Sequence, residues 1–447
     1  MIKIIVKEEM YIYDMYHILR AFYPGSEIDQ TIDSGVPNLI ELRIDGQRKE
    51  CLLINQNEVE EYAERKQKKR YVNLKVYDWL SKQTEKELAW GVLTGIRPTK
   101  IMMNLLEEGK SEQDVIDYMK ENYRTTDKKA NLGMEIAKRE KALLAQLDYK
   151  DGYSLYVGIP FCPTTCSYCS FTSYPVAKWQ NRMDEYVDAL LKELAFIAEV
   201  SKEKKLNTVY IGGGTPTTLE PEQLERLLSH IEKTFSFEDL KEFTVEAGRP
   251  DSITKEKLEV LRRHQISRIS INPQTMQQKT LDCIGRKHTV EDIRQVYAMA
   301  RELGFENINM DLIAGLPGET LDDMKDTLRQ IEMFAPDSLT VHALAMKRAS
   351  RLTQEKREGS YRGNDQADSA TMLSEMIELA AEYAGKMQLV PYYLYRQKNI
   401  AGNFENVGYA KVDKAGIYNI LIMEEKQSII AAGAGASTKI VLKNPIP

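Results

Sequence analysis

From Tyr153 onward, short apolar runs alternate with stretches whose apolar positions recur every three or four residues. The runs are Tyr153–Ile159, Thr208–Gly212, Glu242–Glu246, Arg268–Ile271, Asn307–Ile313 and Leu339–Ala343. The first intervening stretch, Asp184–Val200, carries Tyr186, Leu190, Leu191, Leu194 and Ile197 at helical spacing. The same pattern recurs in residues 222–235, 255–264, 290–303 and 321–334. Strands alternating with amphipathic helices predict a parallel sheet with right-handed crossovers. Six such units fall short of the eight of a closed barrel and predict an open, partial (β/α)6 TIM-like barrel.

The flanking segments follow other patterns. Residues 1–150 predict a separate α/β domain. It would hold a strand at Ile2–Val6, a helix at Tyr11–Phe22 ended by Pro24-Gly25, and a hairpin of Leu39–Ile44 with Glu50–Ile54 around Asp45-Gly46. A long charged helix spans Glu58–Leu80; its run Arg65, Lys66, Lys68, Lys69, Arg70 predicts a solvated face rather than an RNA-binding one. Leu93–Lys100 predicts an extended basic loop at Arg97-Pro98, followed by helix over residues 111–147. Residues 151–350 form the barrel. Residues 351–447, with a helix over 365–387, an aromatic and basic stretch at 389–404 and a small-residue strand at Ile429–Ser437, predict a segment that completes the sheet.

Size and charge narrow the class. A chain of 447 residues exceeds one ordinary domain. A net charge of −6 argues against a dedicated nucleic-acid binder. The apolar runs are shorter than the ~20 residues a membrane span needs, and MIKIIVKEEMYIYD lacks a signal-peptide layout. The expected location is the cytoplasm, where Cys51 and Cys283 remain reduced thiols.

The chemistry concentrates at Tyr153–Phe171, YSLYVGIPFCPTTCSYCSF, where Cys162, Cys166 and Cys169 are spaced C-x3-C-x2-C after the first predicted strand. Three thiolates are odd for disulfides and one short of a closed zinc site. They suit a [4Fe–4S] cluster with one iron left open, for which S-adenosylmethionine is a ligand. A zinc knuckle with a remote fourth ligand remains the alternative; none of His17, His230, His264, His288 or His342 is near in sequence. The other strand ends carry Gly212-Gly213-Gly214-Thr215, Glu246, Gln274 and Asp311. Ligands of parallel α/β folds bind at the carboxyl ends of strands, so these residues and the cysteines are expected around one mouth. His288 is expected at the surface, and His342 either in the core or facing substrate.

These stretches resemble the radical S-adenosylmethionine superfamily, and within it the oxygen-independent coproporphyrinogen III oxidase (dehydrogenase) family. The matching segments are Ser154–Phe171, Tyr210–Thr217, Glu242–Glu246, Ile269–Gln274, Gly285-Arg286, Asp311–Pro317 and Ala345, in order. The resemblance implies an oxidoreductase of porphyrin and haem biosynthesis that converts two propionates of coproporphyrinogen III to vinyl groups without oxygen. It implies Cys162, Cys166 and Cys169 as cluster ligands and catalytic residues, with Tyr156. It implies one or two S-adenosylmethionine molecules, one held by Tyr156, Gly213, Glu246 and Ser437. A second would be held by Tyr168, Gly214, Thr215, Gln274, Arg286, Asp311 and Ala345. A flavodoxin or ferredoxin is the implied electron donor.

Two departures are visible. Phe171 stands where the oxidase has a further cysteine, as in relatives that act as haem chaperones, and the extended N-terminal region resembles a second branch of the dehydrogenases. Haem delivery, or radical chemistry on another tetrapyrrole, are therefore the competing readings. Propionates would meet Arg396 and Lys398, or Arg97; haem would find an axial ligand in His342 or Tyr392–Tyr395.

Overall fold

The computed structural model describes residues 1–45, 49–93, 97–171, 173–345, 350–358, 366–396 and 404–442. Lys398 and residues 46–48, which include Gly46 of the expected turn, lie outside them. The chain divides into two compact units: Met1–Glu135 with Asp365–Ser374 and Arg396–Phe404, and Ile136–Asn364 with Glu375–Tyr395 and Glu405–Pro447.

The first unit is built on strands β1 (Ile2–Val6), β2 (Ile28–Ile32), β3 (Ile40–Asp45) and β4 (Lys49–Ile54), in the order β2-β1-β3-β4. β1 runs parallel to β2 and antiparallel to β3, and β3–β4 is the expected hairpin. Alternate residues of β1 (Ile2, Ile4, Val6) are buried, as a sheet with one covered face requires. They share a core with Met15, Ile18, Leu19 and Phe22 of α1 (Ile12–Phe22) and Val72, Val76 and Leu80 of α2 (Arg65–Thr84). Helices α3 (Pro98–Glu107), α4 (Glu112–Tyr123) and α5 (Asp127–Leu144) follow. β2 was not visible in the sequence pattern: IDQTI is half-exposed along its whole length, as an edge strand can be.

The second unit contains β5 (Gly152–Ile159), the short pair β6 (Phe161–Cys162) and β7 (Tyr174–Pro175), and then β8 (Lys205–Gly213), β9 (Glu242–Gly248), β10 (Arg268–Ile271), β11 (Ile308–Ala314), β12 (Ser338–Ala343), β13 (Val390–Arg396), β14 (Glu405–Ala410) and β15 (Ser428–Ala432). The nine long strands form one open sheet in the order β13-β14-β12-β11-β10-β9-β8-β5-β15. The six strands read from the sequence lie side by side and parallel in its centre. The sheet does not close, so the partial barrel is the observed architecture. β15 extends it in parallel beside β5, and β14 antiparallel beside β12. β14 was not anticipated, and the expected strand at Ile429–Ser437 stops at Ala432 before the turn at Gly433–Gly435.

The crossovers are α6 (Met183–Val200), α7 (Pro221–Thr234), α8 (Lys255–Arg263), the short α9 (Gln278–Cys283), α10 (Val290–Glu302) and α11 (Leu321–Phe334). α6 buries Val187, Leu190, Leu194 and Ile197 at the spacing that gives one apolar stripe. Thr254, Thr289 and Thr320 begin α8, α10 and α11, each hydroxyl accepting from the backbone N–H three residues on. Strands such as β9 are buried along nearly their whole length because helices cover the sheet. The C-terminal region adds α12 (Arg351–Arg357), α13 (Gln366–Lys386) and α14 (Ile417–Glu424).

Candidate functional site

The end of β5 leads through Pro160 into the cysteine loop, and backbone bonds tie that loop to the barrel. Gly214 N donates to Ile159 O at 2.7 Å and Thr215 N to Phe161 O at 2.7 Å. Ser167 N donates to Ile284 O at 2.9 Å, and Thr164 Oγ1 to Gly285 O at 3.0 Å. Cys166 is buried, while Cys162 and Cys169 are half-buried; Cys169 N donates to Cys166 O at 3.1 Å. Burial pushes the Cys162 thiol up. The Thr215 hydroxyl, 3.5 Å from its sulfur, opposes the shift, and Cys169 and Cys166 add to it. Cys51 and Cys283 are free and exposed.

The glycine run at the end of β8 is set by close approach. A Cβ on Gly214 would lie 2.5 Å from Phe161 O and 2.9 Å from Ile159 O. One on Gly212 would lie 2.9 Å from a Glu246 carboxylate oxygen. Gly213 takes φ +109°, where a side chain is strained. Gly212 and Gly214 therefore let β8 seat Glu246 and the cysteine loop, and Gly213, close to the Ile159 backbone, faces the space beside Tyr156 and Glu246.

That space is a 310 Å³ cavity. Tyr156, Gly213 and Glu246, three of the four residues expected to hold one cofactor, line it. Ser170 and Phe171, directly after Cys169, line it as well, as do Ala434–Ala436. Ser437 is exposed, one residue beyond this lining. Glu246 is half-buried and accepts from the Tyr210 hydroxyl. Burial raises its carboxyl to about 7; Tyr210 opposes the shift and Asp311 adds to it. Burial and the nearby Glu246 also raise the Tyr156 phenol. The Tyr210 ring stacks on Tyr418 with centroids 4.3 Å apart and on Tyr156 at 6.0 Å, so the three tyrosines hold one another beside Glu246.

Of the second expected set, Arg286 is buried, with Nη1 donating to Asn272 O at 2.6 Å and Nη2 to the Tyr168 hydroxyl at 3.2 Å. Thr215 is buried beside Cys162, and Gly214 is next to it in the chain. Gln274 has φ +68°; its N–H donates to Asp311 O and its C=O accepts from Ile313 N, both at 2.9 Å. Its side-chain Oε1 is buried with no partner among the described residues, an acceptor positioned for a donor that the chain does not supply. Asp311 accepts from Asn309 Nδ2 at 2.7 Å and lies 3.8 Å from His342 Nε2. Burial pushes its carboxyl up, but His342 and Asn309 outweigh this and hold it below the usual range. Ala345 is half-buried beyond β12.

Several expectations are corrected. His288 is not at the surface: it is buried, with Nδ1 3.8 Å from Asp251 Oδ1, because the segment after Gly285-Arg286 packs beneath the Arg249–Asp251 pair. Arg396 is not an exposed anion receptor; it is buried in the first unit and donates to Leu93 O at 2.6 Å. Tyr392 and Tyr393 are buried, and the Tyr392 hydroxyl accepts from Asn419 Nδ2. His342 is half-buried with Nδ1 3.1 Å from the Tyr395 hydroxyl. Arg97 is half-buried at the start of α3. Lys398 lies outside the described residues.

The sequence reading missed Arg249. It is buried, its Nη1 lies 2.7 Å from Thr164 O and 3.6 Å from Cys166 Sγ, and Asp251 binds its other nitrogens. A basic residue just past a barrel strand end was the available signal.

The donor set fits a cluster better than a single ion. Among the described residues no three His, Cys, Asp or Glu side chains converge on a single-ion site, as a tetrahedral zinc requires. Three thiols on one loop, with a cavity alongside and the unpartnered Gln274 acceptor, match an iron–sulfur cluster with a nucleoside-bearing ligand.

Comparison with known proteins gives the same direction. Residues 156–331 match the Radical SAM superfamily. The chain is 43% identical over 380 residues to the oxygen-independent coproporphyrinogen-III oxidase-like protein HemZ of Bacillus subtilis, covering 84% of this chain and 75% of that protein. It is 37% identical over 195 residues to the B. subtilis heme chaperone HemW, covering 43% of this chain and 51% of HemW. It is 34% identical over 188 residues to the Escherichia coli K12 oxygen-independent coproporphyrinogen III oxidase, covering 42% of this chain and 41% of that one. The solved structure of E. coli coproporphyrinogen III oxidase (HemN) superposes with TM-score 0.52 at 23% identity, covering 66% of each chain.

Proposed function

The chain belongs to the oxygen-independent coproporphyrinogen-III oxidase-like family of the radical SAM superfamily, and from that premise we propose that it decarboxylates propionates of coproporphyrinogen III to vinyl groups. The family's cofactors are a [4Fe–4S] cluster and S-adenosylmethionine, which together supply a deoxyadenosyl radical. Cys162, Cys166 and Cys169 would hold the cluster. Tyr156, Gly213 and Glu246 would enclose the S-adenosylmethionine, with Glu246 accepting from its hydroxyl or ammonium groups. Gln274, Arg286, Asp311, Tyr168, Thr215, Gly214 and Ala345 would hold a second such molecule, and the exposed Ser437 would reach the first by a local movement. A hydrogen atom from the propionate β-carbon would pass to the deoxyadenosyl group that the cofactors supply, and loss of carbon dioxide, with one electron passed to an external one-electron acceptor, would leave the vinyl group. Flavodoxin or ferredoxin would be the reductant, in the cytoplasm. Among the described residues no helix is long and apolar enough to cross a membrane.

The observation that carries this reading is the shared cavity: Tyr156, Gly213 and Glu246 face the same space as Ser170 and Phe171, immediately after the cysteine triad. A haem-delivery role is the second reading, favoured by Phe171, 69% exposed where the oxidase has a cysteine. Anaerobic incubation of reconstituted protein with coproporphyrinogen III, reductant and S-adenosylmethionine separates the two. Vinyl product supports the enzyme. Stoichiometric haem binding without vinyl product would replace it with the chaperone. Replacing any of the three cysteines by Ala should abolish the absorbance at about 400 nm that a [4Fe–4S] cluster gives, together with cofactor cleavage.

A further inference from the structure

The first unit holds a second cavity, unrelated to the cysteine loop, of 440 Å³. Four cations of α2 line it: Arg65, Lys66, Lys69 and Arg70. Asp14 is the only acid in the lining. Lys69 is paired with Asp14 at 2.7 Å. Arg70 is fixed by Asn122 Oδ1 at 2.8 Å and the Tyr118 hydroxyl at 3.1 Å, with its guanidinium 5.7 Å from both the Tyr118 and Tyr123 ring centroids. Arg65 and Lys66 have no partner among the described residues. Asn73 and Asn122 add polar lining, and Val92, Leu93 and Tyr123 supply an apolar and aromatic wall.

This charge pattern works against the helix that carries it. α2 starts at Arg65, and its first turn holds no acid beyond Glu64 at the N-cap. The positive end of the helix dipole disfavours cations there. Arg65 and Lys69, and Lys66 and Arg70, are like charges four apart, which also destabilise. Glu64 caps the helix and Asp14 answers Lys69, but Arg65 and Lys66 are left without an acidic partner among the described residues, and local rules broken in this way mark functional sites. An anion in the cavity would answer both conflicts at once, meeting the dipole and the four cations.

We propose that this cavity binds a small ligand with several closely spaced anionic groups on a flat aromatic body. Arg65 and Lys66 meet the anionic groups beside the fixed Arg70, and Tyr123, Val92 and Leu93 cover the body. The volume lies within the usual range for small-molecule sites. Such chemistry comes either from nucleotide phosphates or from aromatic polycarboxylates, and the test separates the sources.

Calorimetric titration of the full chain with ADP, and separately with coproporphyrin III, should show saturable binding of one of the two that weakens with salt. Binding of ADP alone assigns phosphates; binding of coproporphyrin alone, retained in the Cys162→Ala protein, assigns carboxylates. The double variant R65E/K66E should lose at least tenfold in affinity while its melting temperature rises, since it removes the dipole and like-charge conflicts. Should those reversals fail to fold, R65Q/K66Q makes the same test with the same signs. Absence of binding by both probes overturns the proposal. So does unchanged affinity in the variant, a lowered melting temperature with ligand binding intact, or binding of an RNA oligonucleotide at these residues in place of either small molecule.

Discussion

Arg249 Nη1 lies 3.6 Å from Cys166 Sγ while its Nε and Nη2 grip Asp251 at 2.9 and 2.7 Å. The carboxylate fixes the guanidinium plane, so one N–H remains aimed at the sulfur of a cluster-ligand candidate. Hydrogen bonds to ligand sulfurs are among the factors that set iron–sulfur potentials, and a cation favours the electron-richer state. Arg249→Gln should therefore still assemble a cluster after reconstitution but shift its midpoint potential downward in EPR-monitored titration. The variant should also lose about 3 kcal/mol of stability, because Asp251 keeps a largely buried charge without its partner. Arg249→Lys should recover part of the potential. An unchanged potential at full cluster content would show that Arg249 only supports the loop.

Gly214 makes a sharper steric prediction. Its absent Cβ leaves room for Phe161 O, and that backbone belongs to the strand that delivers Cys162. Ala there would need the two backbones to separate, which flexible side chains cannot absorb. Gly214→Ala should reduce iron content per chain well below the wild type at an unchanged far-ultraviolet circular dichroism spectrum. Gly109→Ala, with nothing near its Cβ, is the control for a positive-φ glycine far from the loop. It should lose only about 1 kcal/mol of stability and keep its iron.

Legibility followed how local each signal was. The six parallel strands and their helices were readable because their periods are written within a few neighbouring residues. Strand ends then placed Glu246, Gln274 and Asp311 correctly at the carboxyl edge of the sheet. What escaped depended on partners far away in sequence. β2 is an edge strand with little burial to pattern it, and β14 acquires its place only by pairing with β12. His288 looks polar and loop-borne, but Asp251, 37 positions earlier in the chain, sits over it. Arg249 acquires meaning only once Cys166 is next to it. Gly212 and Gly214 stood out as a glycine run at a strand end, but the groups that approach them, Glu246 and Phe161, come from distant parts of the chain.

Glu246 carries a pH signature. Burial raises its carboxyl from 4.5 to about 7. Below the lower value it is protonated whether folded or not. Between the two, the unfolded chain ionises first, so stability declines as pH rises, and the loss is complete above the folded value. Glu246→Gln removes the ionisable group. In urea titrations its stability relative to wild type should improve by about 2 kcal/mol between about pH 5 and about pH 8, since each unit is worth ~1.4 kcal/mol. S-adenosylmethionine affinity should move the opposite way. Wild-type binding should tighten through about pH 7 as the acceptor ionises, and the Gln variant should bind at least tenfold more weakly with no such rise. A flat wild-type binding profile would mean that Glu246 serves as a neutral partner.

Glu140 makes the same kind of claim where no ligand is involved. It is fully buried in α5, and its carboxyl is raised well above the ordinary range by that burial first and by the neighbouring Glu424 second. A second acid beside it in a dry site disfavours ionisation further, so the native state favours the protonated Glu140 carboxyl. The sign follows from the raised value: the native state holds a proton the unfolded chain has released, and its stability falls as pH increases toward the folded titration. Glu140→Gln keeps the volume and a donor for Glu424 while removing that proton requirement. Its stability relative to the wild type, measured by urea titration across a pH series, should rise as pH increases, with the smallest difference at the acid end. Equal destabilisation across the series would instead reveal an ionised Glu140 balanced by a cation.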